Sequence, residues 1–302
     1  MPYGSCGAQG TSAAVEAFGA CPEQNRWPRN RRGVQAAGMA TGFGGEVATY
    51  YARHRRGYPP EVLDALAAVF RLGGDDTVVD LGCGTAQLSL PLAARVGAVI
   101  GIDPEPDMLA IARRTALDQG IGNATWVLGS DGDVPALSRL LGRGRVGALT
   151  VAVAIHFMDR DTLFEAARPL LRPGGGIAVV TNGETLWTQD AEWSRALRGC
   201  LERMLGHPVT ARCQTDEDGR RRNREALVRA GYRYEETSVR YDAPLTVDDM
   251  VGGVFSAMSA ERLPTDQQRE RFAAELRDAL GGRTEVTESV RVWLQCGVRD
   301  EG

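Results

Sequence analysis

The run Thr77 to Pro91, TVVDLGCGTAQLSLP, decides the fold. Val78 and Val79 form a short apolar run ended by Asp80, Gly82 and Gly84 bracket a turn, and from Leu88 onward the apolar spacing becomes helical. The pattern reads as strand, glycine loop and helix. Glycine lets the backbone approach a ligand closely, and the free N–H groups of such a loop and helix start favour polar or anionic groups. A nucleotide-like ligand is therefore expected. A phosphate-binding P-loop would end in Gly-Lys-Ser/Thr, and the chain contains no lysine. A dinucleotide fingerprint would carry Gly or Ala three residues after Gly84, where Gln87 stands. The same departure disfavours an NAD-dependent oxidoreductase.

The chain has 302 residues, 43% of them hydrophobic and 25% charged, which suits one large α/β domain with insertions or two domains. All 35 basic residues are arginine, against 39 acidic ones, so the net charge of −4 argues against a nucleic-acid partner. No apolar run approaches a membrane span, and the first residues lack the apolar core of a secretion signal, so a cytoplasmic protein is expected. The six cysteines, Cys6, Cys21, Cys83, Cys200, Cys213 and Cys296, have no CxxC spacing, which suggests neither zinc nor a disulfide framework. Residues 1 to 38 are rich in Gly, Ala, Ser, Pro and Arg without a sustained period and read as a disordered leader, with Met39 an alternative start.

The segment VVDLGCGTA resembles the first motif of class I S-adenosylmethionine (SAM) dependent methyltransferases, in which an acid ends the strand and a GxG turn holds the amino acid end of SAM. The resemblance implies cofactor contacts from Asp80, Gly82, Gly84 and Gln87. Upstream, YYARHRRGYP at Tyr50 to Pro59 resembles the "YxxxRxGYP" entry of a subgroup acting largely on small molecules. The resemblance implies that Tyr51 closes over SAM and Arg55 pairs with its carboxylate, a task suited to a guanidinium. A second strand, Val99 to Ile102, ends at Asp103, about 20 residues past the loop, where doubly wound folds place the ribose-binding carboxylate. Met108, in the helix that follows, belongs to the family's second motif. The third strand, Thr125 to Leu128, runs into GSDGDVP. Family members carry an adenine-binding Asp here; this sequence has Ser130 at that position and Asp131 one residue later, and both are candidates.

The fourth strand, Ala148 to Ile155, is apolar throughout, as expected when both faces are covered. It leads to His156-Phe157. Of the three histidines, His54, His156 and His207, only His156 is expected at the carboxyl edge of a central strand, which makes it the candidate to orient or deprotonate an acceptor. Strand five, Ile177 to Thr181, follows the LRPGG turn. Asn182, Glu184 and Trp187 lie just beyond it and are candidate acceptor-binding residues. Strand six is expected over Tyr232 to Tyr241 and a closing strand over Val286 to Val298. Between them, two helices open with capping boxes, Thr246 with Asp249 and Thr265 with Gln268.

The expectation is a doubly wound, Rossmann-like α/β fold over residues 39 to 302. Its seven-stranded sheet is mostly parallel with an antiparallel last strand, and a helical lid comes from insertions after strands five and six, residues 183 to 231 and 243 to 281. The resemblance implies SAM as cofactor, no metal, and methyl transfer to a small molecule rather than to nucleic acid or at a membrane. The lid region resembles methyltransferases that tailor antibiotic sugars, and with the acids near the expected mouth, Glu184, Asp190, Glu192, Asp248 and Asp249, that resemblance implies N-methylation of an aminosugar or aminoglycoside in antibiotic biosynthesis. O-methylation of a neutral sugar or aromatic is the alternative, and a SAM-binding scaffold or cyclase is the rival of another class.

Overall fold

The computed structural model describes residues 42–209 and 215–300. The leader with Met39, Cys6 and Cys21, as well as Cys213, lies outside the described residues. Two helices come first, α1 (Glu46–His54) and α2 (Pro60–Phe70), and then strands and helices alternate. They are β1 (Thr77–Leu81), α3 (Ser89–Ala93), β2 (Ala98–Asp103), α4 (Pro106–Asp118), β3 (Ala124–Leu128), α5 (Val134–Leu141), β4 (Val146–Ala152), α6 (Arg160–Ala167) and β5 (Leu171–Val180). The carboxyl-terminal part adds α7 (Glu192–Leu205), α8 (Glu217–Arg229), β6 (Arg233–Thr246), α9 (Val247–Phe255), α10 (Asp266–Ala279) and β7 (Glu285–Val298).

The strands form one seven-stranded sheet in the order β3-β2-β1-β4-β5-β7-β6. β1 to β5 run parallel, and β7 pairs antiparallel with both β5 and β6. This is the Rossmann-like arrangement with a reversed last strand that the sequence led us to expect. Parallel strands need both faces covered. On one face, Leu163 and Phe164 of α6 and Leu227 of α8 pack with Leu149, Val151 and Ile177. On the other, Leu63, Leu66 and Phe70 of α2 meet Val78, Ala148, Ala178 and Val292. A separate core, with Trp193, Leu197, Val254, Phe255, Phe272 and Leu276, joins α7, α9 and α10 above the carboxyl edge of the sheet. Among the described residues no helix is long and apolar enough to cross a membrane.

Several boundaries differ from the sequence reading. β5 begins at Leu171 rather than Ile177 and takes in the LRPGG run, with Leu171 paired to Val146 of β4. Others differ for local reasons. β4 ends at Ala152 rather than Ile155 because Val153 adopts a left-handed φ of 53° and turns the chain, after which Ile155–Phe157 form a single 3-10 turn. The helix after the glycine loop is only Ser89–Ala93, and Pro91 falls in its first turn, where a missing N–H costs no helical bond, so nothing is kinked. β6 continues past Tyr241 to Thr246 because every residue from Arg233 to Thr246 finds a partner on β7. Both capping boxes form, with Thr246 and Thr265 accepting from the backbone N–H of Asp249 and Gln268.

The approach of β5 to β7 leaves no space for a side chain at Gly176. A Cβ there would lie 2.1 Å from the Gly297 carbonyl oxygen and 2.5 Å from Phe70. Gly176→Ala is expected to cost about 1–3 kcal/mol by overpacking, lowering the melting temperature by roughly 2–4 °C per kcal/mol. A thermal melt coincident with that of the wild type would show that the sheet relaxes freely at this point.

Candidate active site

The glycine loop is tied to the end of β2 by its own backbone. The N–H groups of Gly82 and Cys83 donate to the Ile102 carbonyl at 2.8 and 3.1 Å, and that of Gly84 donates to Asp103 Oδ2 at 2.8 Å. Gly84 has φ 54°, and a Cβ on it would sit 3.4 Å from the Tyr51 ring, so glycine meets both the conformation and the close approach. Asp103 Oδ1 accepts from the Glu105 N–H at 2.9 Å. Burial outweighs those two bonds and pushes the Asp103 carboxyl up to about 6. Raised above its usual value of 3.8, the carboxyl weakens the unliganded fold as pH climbs from that value through about 6, and the cost persists above it.

Asp80 lines neither of the cavities that open here. It is buried behind the loop, where Thr150 donates to Oδ1 at 2.7 Å and Ser89 donates to Oδ2, so it locks the first turn of α3 to β4. Burial raises its carboxyl as well. Cys83 is also buried, and burial pushes its thiol far up, so it offers no reactive thiolate.

A first cleft of about 740 Å³ opens over the loop, bounded by Gly82, Gly84, Asp103 and Met108 on one side and by Tyr51, Arg55 and His156 on the other. Arg55 stacks over the Tyr51 ring at 5.3 Å, and its Nε donates to Ser256 Oγ of the loop after α9 at 2.8 Å. The His156 ring lies against Phe157 with centroids 4.0 Å apart. Burial, helped by the cations Arg160 and Arg55, pushes the imidazole down to about 4, so it is neutral at physiological pH. Three residues expected around the cofactor are not brought to this wall. Ser130 and Asp133 close a capping box on a 3-10 turn, Asp131 accepts from the Asp159 N–H at 3.3 Å, and Gln87 donates to Thr85 Oγ1 at 2.7 Å while facing the neighbouring cavity.

That second cavity, about 920 Å³, lies beneath α7 and α9 and shares Tyr51, Arg55, Val153 and Ala257 with the first. Asn182, Glu184 and Trp187 all line it. Asn182 donates to the carbonyls of Arg56 and Gly57 at 3.1 and 3.2 Å, which straps the turn after α1 to the end of β5. Sequence reasoning missed two polar pairs in this cavity. His54 Nδ1 lies 3.2 Å from Asp249 Oδ1, and Arg56 forms an ion pair with Glu288, which is buried and also accepts from Gln189 at 2.7 Å. A signal for Glu288 exists: it shares the inward register of Val290, Val292 and Leu294, where a carboxylate is out of place without a partner. No local signal marks His54 and Asp249.

Most of the acids expected at the mouth are engaged elsewhere. Asp190 pairs with Arg195 at 2.7 Å, Glu192 with Arg283 at 3.2 Å and Asp248 with Arg277 at 3.9 Å. Asp249 caps α9 through Thr246 and holds His54, and these bonds outweigh burial to keep its carboxyl below the usual range. Glu184 remains exposed at the rim. Among the described residues no three of His, Cys, Asp or Glu gather as a metal would require.

Residues 78–175 match the family model described as a methyltransferase domain. An uncharacterised methyltransferase of Mycobacterium tuberculosis is 35% identical over 183 residues, which cover 59% of this chain and 66% of that protein, and its Mycobacterium bovis counterpart matches equally. The chain therefore spans just under two thirds of these curated relatives. A Saccharomyces cerevisiae protein named as a probable S-adenosylmethionine-dependent methyltransferase is 28% identical over 43% of this chain and 44% of its own length. The crystal structure of the YcgJ protein of Bacillus subtilis superposes with a TM-score of 0.51 at 16% identity, over 81% of this chain and 100% of the other, a likeness of fold.

The joint between the two cavities depends on Gly252 of α9, where a Cβ would lie 2.1 Å from the His54 ring. Gly252→Ala is expected to push His54 off Asp249 and loosen α1 against α9. Amide hydrogen exchange over residues 46–54 should accelerate at least severalfold, and unchanged exchange there would show that the pair does not hold the helices together.

Proposed function

We propose that this chain, whose residues 78–175 carry the class I methyltransferase pattern, is a SAM-dependent methyltransferase that methylates a small polar molecule held beneath α7 and α9. The observation that carries this reading is the meeting of two cavities at Tyr51, Arg55, Val153 and Ala257, one built on the glycine loop and Asp103, the other walled by polar side chains. The first cleft fits SAM. It offers a buried carboxylate for ribose hydroxyls, glycines that hold the loop's left-handed turn, Met108 as an apolar wall, and a guanidinium at Arg55 for a carboxylate. When bound, SAM supplies a methyl group already activated by its sulfonium. The chain's task is to hold the acceptor atom toward the shared wall, exclude water and take a proton, and positioning alone is worth about 7–11 kcal/mol.

The proton acceptor that the geometry favours is His54. A carboxylate can only accept, so the contact with Asp249 places the ring proton on Nδ1 and leaves Nε2 able to take a proton from the acceptor. His156, pushed down to about 4, is a weak base and serves as a neutral wall of the cofactor cleft. The pairing of Asp190, Glu192, Asp248 and Asp249 removes most of the negative rim that a polycationic aminosugar would use. A hydroxyl of a sugar or aromatic compound is thus favoured over an amine.

Transfer of label from SAM to a panel of hydroxylated and aminated sugars and aromatics tests the reading. Labelling of no small molecule, with S-adenosylhomocysteine (SAH) still bound, would leave the scaffold or cyclase reading in its place. With the acceptor in hand, His54→Gln is expected to lower kcat about 100-fold, whereas His156→Gln should leave kcat nearly unchanged. The reverse pattern would return the base to His156.

SAH affinity should follow the Asp103 carboxyl. The ionised form accepts the ribose hydroxyls, so affinity falls as pH drops below about 6, approaching tenfold per pH unit. Calorimetry at pH 7.5 and 5.0 checks this, and Asp103→Ala should cost about 2–3 kcal/mol at the higher pH. Equal affinity in variant and wild type would exclude Asp103 from the ribose.

A further inference from the structure

Beyond the rim residues Gly183 and Glu184, the acceptor cavity continues into a separate cleft of about 730 Å³, into which Arg220, Arg240 and Arg291 converge around Trp293 and Ser289. Arg220 and Arg291 lie over the indole ring, their guanidinium carbons 4.4 and 5.1 Å from its centroid. Arg220 also donates to the Thr215 carbonyl at 3.1 Å. Arg240 and Arg291 stand directly opposite each other across the β6–β7 ladder. Like charges in that relation are destabilising, and among the described residues no ion pair joins any of the three arginines to a carboxylate.

The nearby acids do not neutralise the cluster. Asp218 pairs with Arg221 at 3.0 Å, and Asp216 caps α8 by accepting from the Gly219 N–H at 2.9 Å. Glu184 sits at the border with the acceptor cavity, and Asp242 pairs in register with Ser289, one step along the same strand face. Three fixed cations therefore share a cleft with one bordering carboxylate. Stacking on Trp293 restrains two of the planar forks, which lowers the entropic cost of an ordered ion contact.

We propose that this cleft binds a phosphate group, carried by the acceptor as an arm reaching from the methyl-transfer cavity. Guanidinium forks match phosphate oxygens with paired, charge-assisted hydrogen bonds, and Ser289 adds a hydroxyl. The proposal rests on the methyltransferase reading for the identity of the acceptor cavity, while the anion site itself stands on the arginines. A free phosphate ion is the other source of the same chemistry.

Calorimetry with inorganic phosphate and with glucose 1-phosphate at low ionic strength tests it, using the wild type, Arg240→Gln and Arg240→Gln/Arg291→Gln. At least one phosphate probe should bind the wild type, and the double variant should bind it at least about tenfold more weakly, with SAH affinity unchanged and the melting temperature no lower. Glucose 1-phosphate binding tighter than inorganic phosphate, with the advantage lost in Asn182→Ala, supports an acceptor-borne arm. Equal binding of the two, still lost with the arginines, assigns a free-ion site and overturns the arm. No binding of either probe, or binding indifferent to both arginine variants, overturns the site altogether. Intact SAH binding in the two arginine variants keeps these outcomes separate from a failure of the methyltransferase reading, and the exposed Arg240→Gln gives a readout even if the double variant misfolds.

Discussion

The hydrogen bond from the Gly84 N–H to the Asp103 carboxylate is the constraint on which the cofactor cleft depends. It makes one buried acid serve two elements, pinning a left-handed loop residue to the end of the neighbouring strand and presenting the same carboxylate to the cleft. Its cost is visible in the raised carboxyl, which burial disfavours in the charged form. A ligand that donates to Asp103 offsets that cost on binding. Asp80 provides the mechanical counterpart one layer deeper, where two hydroxyl donors hold it between β4 and the start of α3.

Helix α1 connects this cleft to the acceptor side. Tyr51 and Arg55 face the loop, while His54, in the same turn, meets α9. The helix is held from several directions: Gly45 donates to Asp107 at 2.7 Å, Arg269 of α10 reaches both Glu46 and Tyr50, and Asn182 straps the turn that follows. A movement of α9 or α10 therefore acts on Tyr51 and Arg55 through a rigid element rather than through a loop. The two cavities are coupled by shared residues, which is the arrangement needed to align two bound molecules.

Arginine is the sole strong cation, and its forked geometry links acids across elements far apart in the chain, as in Arg172 with Asp76 and Arg56 with Glu288. Strand register gathers the cations around Trp293, because it places Arg240 opposite Arg291.

Local chemistry made much of the architecture legible in the sequence. Period-two and helical apolar spacing located the strands and most helices, the GxG turn marked the left-handed loop, and the acid ending β2 was recognisable from its distance to that loop. Both capping boxes were visible because their partners lie three residues apart. What only the tertiary structure decided involves partners that no local pattern joins. His54 and Asp249 are 195 residues apart, the acids thought to rim the mouth are claimed by arginines on other turns and helices, and β4 stops where Val153 turns left-handed despite an apolar run that continues. Periodicity reports which face of an element is buried. Which side chain meets which across that buried face is set by strand register and helix packing, whose energies depend on the whole assembled core.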